Sequence, residues 1–404
     1  MTHPLPYEDG ISEDVYHNLF VRVGLDESLQ QSFFKKRCES LSAKDALAYD
    51  SSTISVYSEN QNDARFGFNK AHDGLKTIKL LTLYSIDSRQ PIAFTKQPGN
   101  LLDVISVTNA INQLRALGVN TTEIVTDNGY YSEQNLSELL QAGFDFITPA
   151  KTSLKFRKYS SHKNGAEKGS EEAFKHRIYL HIYFNKSRQT DDKTALDDDL
   201  YELKTLLESG TAIDDLSPAA KEKANKYFTV KRWGGKITAT ANNKAIKDAN
   251  KYHGYFALVS NKEKDPFECL RKYHKRETIE SFFEAEKQHV DGTRARVCYT
   301  DTLRGRMFVQ FISLCYYEYF SEEIRKLKVV LDSEINSSGL KSEALKTTKK
   351  LKTWVNNTPL YLQLQWFDTV EQVELSTKLR NRRWNTEVTS CDALYLEKIG
   401  LYRE

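Results

Sequence analysis

The order of segments between residues 44 and 150 limits the possible folds of this chain more than any other feature. KDALAYDSSTISVYS (44–58), KTIKLLTLYSI (76–86) and QPIAFTKQ (90–97) are rich in β-branched and apolar residues and read as strands. The turn-like DSRQP joins the second to the third. LLDVISVTNAINQLRALGV (101–119) has helical spacing and ends near Gly118, and TTEIVTDNGYY (121–131) reads as a short strand running into a turn. SEQNLSELLQAG (132–143) is a helix opened by Ser132 and closed by Gly143, and FDFITPA (144–150) is a further strand. The order β-β-β-α-β-α-β predicts three antiparallel strands extended by parallel ones, an α/β fold with a mixed sheet flanked by helices.

Beyond residue 150 the rhythm breaks. The segment 151–177 carries eight Lys/Arg against three Glu, and RIYLHIYFN (177–185) reads as a strand. An acidic helix-prone stretch (191–209) follows, then YFTVKRWGGKITATANN (227–243), a β-hairpin turning at Gly234-Gly235. We read 151–253 as an inserted α+β module. Core-like sequence resumes at GYFALVSN (254–261), followed by one helix from about Pro266 to His289 and an apolar helix over roughly 303–328. The expected division is a helical N-terminal segment (1–43), a first part of the main domain (44–150), the insertion (151–253), a second part (254–330) and a helical tail (331–404).

Composition narrows the class. A chain of 404 residues, 39% hydrophobic, can bury at least one sizeable core. Its 58 Lys+Arg nearly balance 55 Asp+Glu, so any surface for nucleic acid must be local. The five cysteines are odd in number, scattered, and form no C-x-x-C pair. Free thiols in a reducing compartment are expected rather than a disulfide framework or a zinc knuckle. No basic-then-apolar leader opens the sequence. The longest apolar run (307–320) is too short to span a bilayer and is broken by Gln310 and Glu318. A soluble cytoplasmic protein associated with the nucleoid is the expectation.

Three acids hold telling positions. Asp50 lies inside the first strand, where a charge is costly unless it faces a cleft. Asp127 lies where the fourth strand ends, the edge at which open α/β sheets place ligands. Glu280 lies in YHKRETIESFFEAEK (273–287), read as part of one helix. Tyr273, Arg276, Glu280 and Lys287 stand at offsets 0, 3, 7 and 14, within roughly 60° of one another on a continuous helix. Beside them runs an apolar stripe of Ile279, Phe283 and Val290. Each acid alone has a plainer reading: Asp127 as a turn residue before Asn-Gly, Asp50 as a strand-edge acid, Glu280 as the i, i+4 partner of Arg276. Together, carboxylates of this kind suit two Mg²⁺ ions, or Mn²⁺, with substrate phosphate oxygens as further ligands.

Tyr273, Arg276, Glu280 and Lys287 fit the Tyr-x2-Arg-x3-Glu-x6-Lys signature of transposases grouped around the insertion-sequence-four family, which the sequence resembles over about 44–320. AYDSST and IVTDNGYYSEQN resemble the surroundings of that group's two Asp residues, and RFGFNKAHDGLKTIKL and QPGNLLDV resemble further stretches of it. The resemblance implies a ribonuclease-H-like catalytic domain and an Asp–Asp–Glu triad of Asp50, Asp127 and Glu280 that is catalytic and metal-binding. It also implies DNA contact through Tyr273, Arg276 and Lys287, with Trp233, Arg294 and Arg296 added to that set. Trp233 would stack on a flipped base or, equally, pack the insertion's own core. His274 and His289 are read as groove or surface residues rather than ligands. The implied activity is nicking at terminal inverted repeats followed by strand transfer, by a homodimer or higher assembly on DNA.

Only 49 residues precede Asp50, and they contain no convincing helix-turn-helix. Either the insertion and the tail recognise the ends, or this is a shortened copy. Two alternatives stay open: a ribonuclease-H-like nuclease without strand transfer, and a truncated transposase that binds DNA but is inactive.

Overall fold

The computed structural model describes residues 12–42, 45–69, 72–120, 122–150, 177–233, 236–337, 342–367, 372–376, 381–385 and 388–400. The basic segment before residue 177, the Gly234-Gly235 turn and the side chain of Trp233 lie outside the described residues. The chain divides into two compact units. One comprises Met1–Val125, Ala142–Phe144 and His274–Glu404; the other comprises Thr126–Gln141 and Asp145–Tyr273.

The first unit opens with two helices, α1 (Glu13–Leu25) and α2 (Glu27–Glu39). Ser12 and Asp26 cap them by accepting the backbone N–H groups of Val15 (3.4 Å) and Leu29 (3.0 Å). Then come β1 (Ala46–Val56), β2 (Lys76–Ser85), β3 (Gln90–Pro98), α3 (Asp103–Ala116) and most of β4 (Glu123–Thr126). Strands β1 and β2 pair antiparallel with Asp50 opposite Thr82, and β2 pairs antiparallel with β3.

The second unit holds α4 (Glu133–Ala142, all but its last residue), β5 (Asp145–Pro149), β6 (Tyr179–Phe184), α5 (Lys186–Glu208), α6 (Pro218–Tyr227), β7 (Phe228–Trp233), β8 (Lys236–Ala241), α7 (Asn243–Asn250) and β9 (Tyr255–Ser260). Helix α8 (Pro266–Lys275) follows, and the unit ends within it at Tyr273. Strand β9 pairs antiparallel with both β5 and β6. The hydrogen-bonded strand order is β3-β2-β1-β4 in the first unit and β5-β9-β6 in the second. The strand assigned from sequence to the start of the insertion therefore bonds directly to β9. Leu200, Leu203 and Leu207 of α5 close a small core with Ala224 and Tyr227 of α6, Phe228 of β7 and Ala239 of β8.

The remaining elements return to the first unit: α9 (Thr278–His289), α10 (Thr300–Asn336), α11 (Ser342–Asn357), α12 (Leu360–Trp366), the pair β10 (Gln372–Ser376) and β11 (Asn381–Asn385), and α13 (Ser390–Lys398). The first half of α10 buries Phe308 and Phe311 against Phe33 and Phe34 of α2 and Phe94 of β3, with ring centroids 5.1–6.4 Å apart. Where α1 crosses α10, Gly24 and Gly305 let the backbones meet: a Cβ on Gly305 would overlap the Phe20 carbonyl. The second half of α10 carries the tail, with Ile324, Leu327 and Leu331 packed on Leu351, Val355 and Tyr395. Among the described residues no helix is long and apolar enough to cross a membrane.

Candidate active site

Asp50 sits in mid-strand on β1, and its side chain is 20% exposed. Its Oδ1 accepts the Ser51 N–H at 2.8 Å. Further along the sheet Lys79, buried on β2 opposite Thr53, donates to Asp103 Oδ1 at 2.7 Å, and Ser51 Oγ donates to the same oxygen at 3.3 Å.

The continuous helix expected from Pro266 to His289 does not form. Helix α8 ends at Lys275 and α9 begins at Thr278. Between them the chain tightens into i→i+3 bonds: Glu277 N–H to the His274 carbonyl at 3.0 Å and Ile279 N–H to the Arg276 carbonyl at 2.9 Å. The single stripe inferred from 3.6-residue spacing is therefore interrupted at Arg276, the residue that most needs an inward direction. Arg276 is 5% exposed. Its Nη1 donates to Asp50 Oδ2 at 3.5 Å and its Nη2 to Glu280 Oε1 at 3.3 Å. Charge-assisted bonds are ordinarily about 2.7–2.9 Å, so the guanidinium holds both carboxylates loosely. Glu280, in the first turn of α9, is 62% exposed.

In the second unit, Asp127 leads from β4 into a 3₁₀ turn, Asn128–Tyr130. Asn135 Nδ2 fixes that turn by donating to the Tyr130 carbonyl at 2.7 Å. The Tyr273 hydroxyl donates to Asp127 Oδ1 at 3.5 Å. The signature residues thus meet the sequence-predicted acids in two groups, Arg276 with Asp50 and Glu280, and Tyr273 with Asp127. Among the described residues no three His, Cys, Asp or Glu side chains form a group able to hold a metal ion.

The other expected contact residues are dispersed. Lys287 is half-buried on α9. The Arg294 guanidinium lies 5.1 Å over the Tyr57 ring. Arg296 adopts a left-handed backbone (φ 48°) and pairs with Asp291, which also takes Arg306 at 3.5 Å. His274 faces Glu277 at 3.0 Å, and the His289 ring lies 5.0 Å from that of Tyr317.

One ionisable residue escaped the sequence reading. Glu286 is 3% exposed, and its Oε2 has no hydrogen-bond partner. Burial pushes its carboxyl up to about 7, moderated by the Ser52 hydroxyl and Lys287. A Cβ on Gly292 would clash with its Cγ. The signal was available: Glu286 stands seven residues after Ile279, on the apolar stripe itself.

A comparison with curated proteins finds no match. One solved structure with a similar trace is the cryo-EM structure of a piggyBac transposase synaptic complex with hairpin DNA. It shares 7% identity at a TM-score of 0.41 and covers 85% of this chain, which spans 64% of that one. A likeness of that degree carries no argument. The family profile described as "Transposase DDE domain" matches residues 41–316, more than half of the 404. The matched span contains Asp50, Asp127, Glu280 and Arg276, and the chain belongs to the transposase DDE domain family.

Proposed function

We propose that this protein is the DNA transposase of an insertion sequence, related to the insertion-sequence-four group, with Asp50, Asp127 and Glu280 as its triad and Tyr273, Arg276, Glu280 and Lys287 as its signature. The observation that carries the reading is Arg276. It is buried, yet bonded to two acids, one of them 226 positions away in sequence. A protein that needed only stability gains little from bringing two carboxylates to one guanidinium. A hydrolase of phosphodiesters gains preorganised oxygens beside a cation that can turn toward a phosphate.

The donor set fits a hard divalent cation: it is all carboxylate, Glu280 is open to solvent, and the bonds to Arg276 are long enough to yield. Mg²⁺, or Mn²⁺ in its place, would supply Lewis-acid activation of the attacking and leaving oxygens, most fully as a pair of ions. The chain's own residues position the strand. Arg276 and Lys287 contact phosphate oxygens, joined by Arg294 and Arg296. Tyr273 orients the Asp127 carboxylate through its hydroxyl. In the first step water adds to phosphorus and the bond to the 3′-oxygen breaks, leaving a 3′-hydroxyl and a 5′-phosphate. In the second step that hydroxyl attacks another phosphodiester, one ester forming as one breaks. The catalytic domain is ribonuclease-H-like in this reading, split by the module at 151–253. The protein works on both ends of the element as a dimer or larger assembly.

The test is Mg²⁺-dependent nicking of a labelled duplex carrying the flanking ends of the gene, with Glu280→Gln beside wild type. Nicking at the repeat boundary that leaves a 3′-hydroxyl and falls at least about 1,000-fold in the variant is expected. Cleavage indifferent to the repeat would reduce the reading to a nuclease.

A further inference from the structure

Strand β6 is the outer strand of the β5-β9-β6 group in the second unit. It pairs with β9 along its whole length, from Tyr179 opposite Ser260 to Phe184 opposite Tyr255. Just beyond it the Asn185 N–H donates to the Gly254 carbonyl at 2.9 Å. Backbone groups alternate in direction along an antiparallel strand, so His181, Tyr183 and Asn185 turn theirs toward β9. Leu180, Ile182 and Phe184 turn theirs away. The pairing beyond β9 agrees: Ala257, opposite Ile182, turns its carbonyl the other way, to the Ala150 N–H at 2.9 Å. Among the described residues no strand meets the outward row of β6.

The two faces of this strand differ. On one, His181 Nε2 lies 2.9 Å from the Glu263 carbonyl, and the Tyr183 hydroxyl donates to the Pro266 carbonyl at 2.6 Å. That face is tied to the turn leading into α8. Leu180, Ile182 and Phe184 share the other face with their β9 partners Val259, Ala257 and Tyr255. There Ile182 is 38% exposed, Phe184 50% and Tyr255 36%, with the Phe184 and Tyr255 rings 5.0 Å apart. The same three residues of β6 thus turn their backbone groups to the edge and apolar side chains to the face beside it.

Edges of this kind are normally blunted by a charge or a proline. Tyr179–Phe184 reads YLHIYF and carries no Lys, Arg, Asp, Glu or Pro. A strand added here must be extended, uncharged and apolar at every second position. The sequence of β6 itself has that form. About Ile182 it mirrors itself in character, Leu180 against Phe184 and His181 against Tyr183. Around a two-fold axis at Ile182, its three outward residues can exchange about six backbone hydrogen bonds with those of a copy. Apolar side chains then face apolar ones, and no like charges oppose each other. We infer that β6 pairs antiparallel with β6 of a second copy of this chain, centred on Ile182. The pairing gives a surface to the assembly proposed above but stands on strand geometry, so either can fail alone. One short strand buries less than the roughly 1,000 Å² of a stable interface, so the dimer is weak and depends on concentration.

The experiment uses the full chain with Cys298 and Cys391, its exposed and half-buried free thiols, changed to Ser. Sedimentation velocity should show a monomer at about 1 µM and a growing dimer toward about 200 µM. Ile182→Lys sets like charges on the axis and should raise the dissociation constant at least about 10-fold, with the melting temperature little changed. Ile182→Cys sets two thiols on Cα atoms about 5.5 Å apart. A short bis-maleimide should then join chains at least about 10-fold faster than through Tyr201→Cys, 75% exposed on α5 of the same unit. A protein that stays monomeric throughout, with Ile182→Cys open to a monofunctional maleimide, overturns the inference. If Ile182→Cys does not react at all, the edge is covered from within the chain, and the inference fails again. It fails too if a dimer survives Ile182→Lys or crosslinks equally through Tyr201→Cys. A dimer formed as described that nicks no DNA would leave this inference standing and remove the transposase reading. A monomer that nicks its own ends would do the opposite.

Discussion

Helix α9 carries two glutamates six residues apart in opposite circumstances. Glu280 is exposed, bonded to Arg276, and shares that guanidinium with Asp50. Glu286 is buried against β1 with one carboxylate oxygen unpartnered, and its carboxyl is pushed up to about 7. The first acid is placed where its charge can be used, and the second where its charge is a burden. The glutamate of the proposed triad is thus marked by a cation and by solvent, and the buried one by a raised carboxyl.

The largest way to break the contrast is to remove the cation. Arg276→Ala should destabilise the fold by about 3 kcal/mol, read as the midpoint of urea unfolding. Nearly all of that comes from Asp50, because Glu280 is too exposed for its loss of a partner to matter. DNA nicking should fall at least about 100-fold. Arg276→Lys should recover much of the stability and little of the nicking, because a point charge cannot reach both carboxylates as a planar fork does. Equal recovery of both would mean that Arg276 is only structural.

How much of this was legible beforehand follows from the kind of physics involved. The β-β-β-α-β-α-β order between 44 and 150 appears as β1–β3, α3, β4, α4 and β5, with boundaries within three residues, because periodicity and turn chemistry are local. The pairing of β6 with β9 was not legible, since it depends on contacts across more than 70 residues. The break at Arg276 was missed for a related reason. Nothing in YHKRETIESFFEAEK disfavours a continuous helix, and the tight turn at Arg276 is seen only in three dimensions. Asp50, Asp127, Arg276 and Tyr273 were picked out by their positions and by resemblance, and the pairing of Arg276 with Asp50 is visible only in three dimensions. Glu286 was passed over because an acid on an apolar stripe looks like an exception, although seven-residue spacing from Ile279 marks it as buried.

Glu286 sharpens the contrast through pH. Its carboxyl titrates near the ordinary value of 4.5 when unfolded and at about 7 when folded. The native state therefore binds more protons between those values, and stability falls as pH rises from about 4.5 to about 7. Glu318, pushed up to about 7 by burial against the moderating Tyr84 hydroxyl, has the same sign. Glu286→Gln should leave stability at pH 4.5 nearly unchanged and raise it by roughly 2 kcal/mol at pH 8. Thermal melts of the variant and wild type across that range would decide it, and a gain independent of pH would remove burial of charge as the cause.

The smallest effect concerns the strand face that α9 covers. Ser52 shares the β1 face of Asp50, two residues on, and its hydroxyl moderates the rise at Glu286. Yet Ser52 Oγ and Glu286 Oε2 form no well-aligned hydrogen bond. A contact of that quality is worth less than about 1 kcal/mol. Ser52→Ala should therefore cost less than about 1 kcal/mol at pH 8, where Glu286 is ionised, and less still at pH 4.5, where it is protonated. In a Glu286→Gln background the pH dependence of that cost should vanish, a double-mutant cycle readable from urea midpoints. If instead Ser52→Ala cost the same at both pH values and in both backgrounds, the hydroxyl would serve strand packing alone. The two glutamates would then differ by solvent exposure and the cation, with no help from β1.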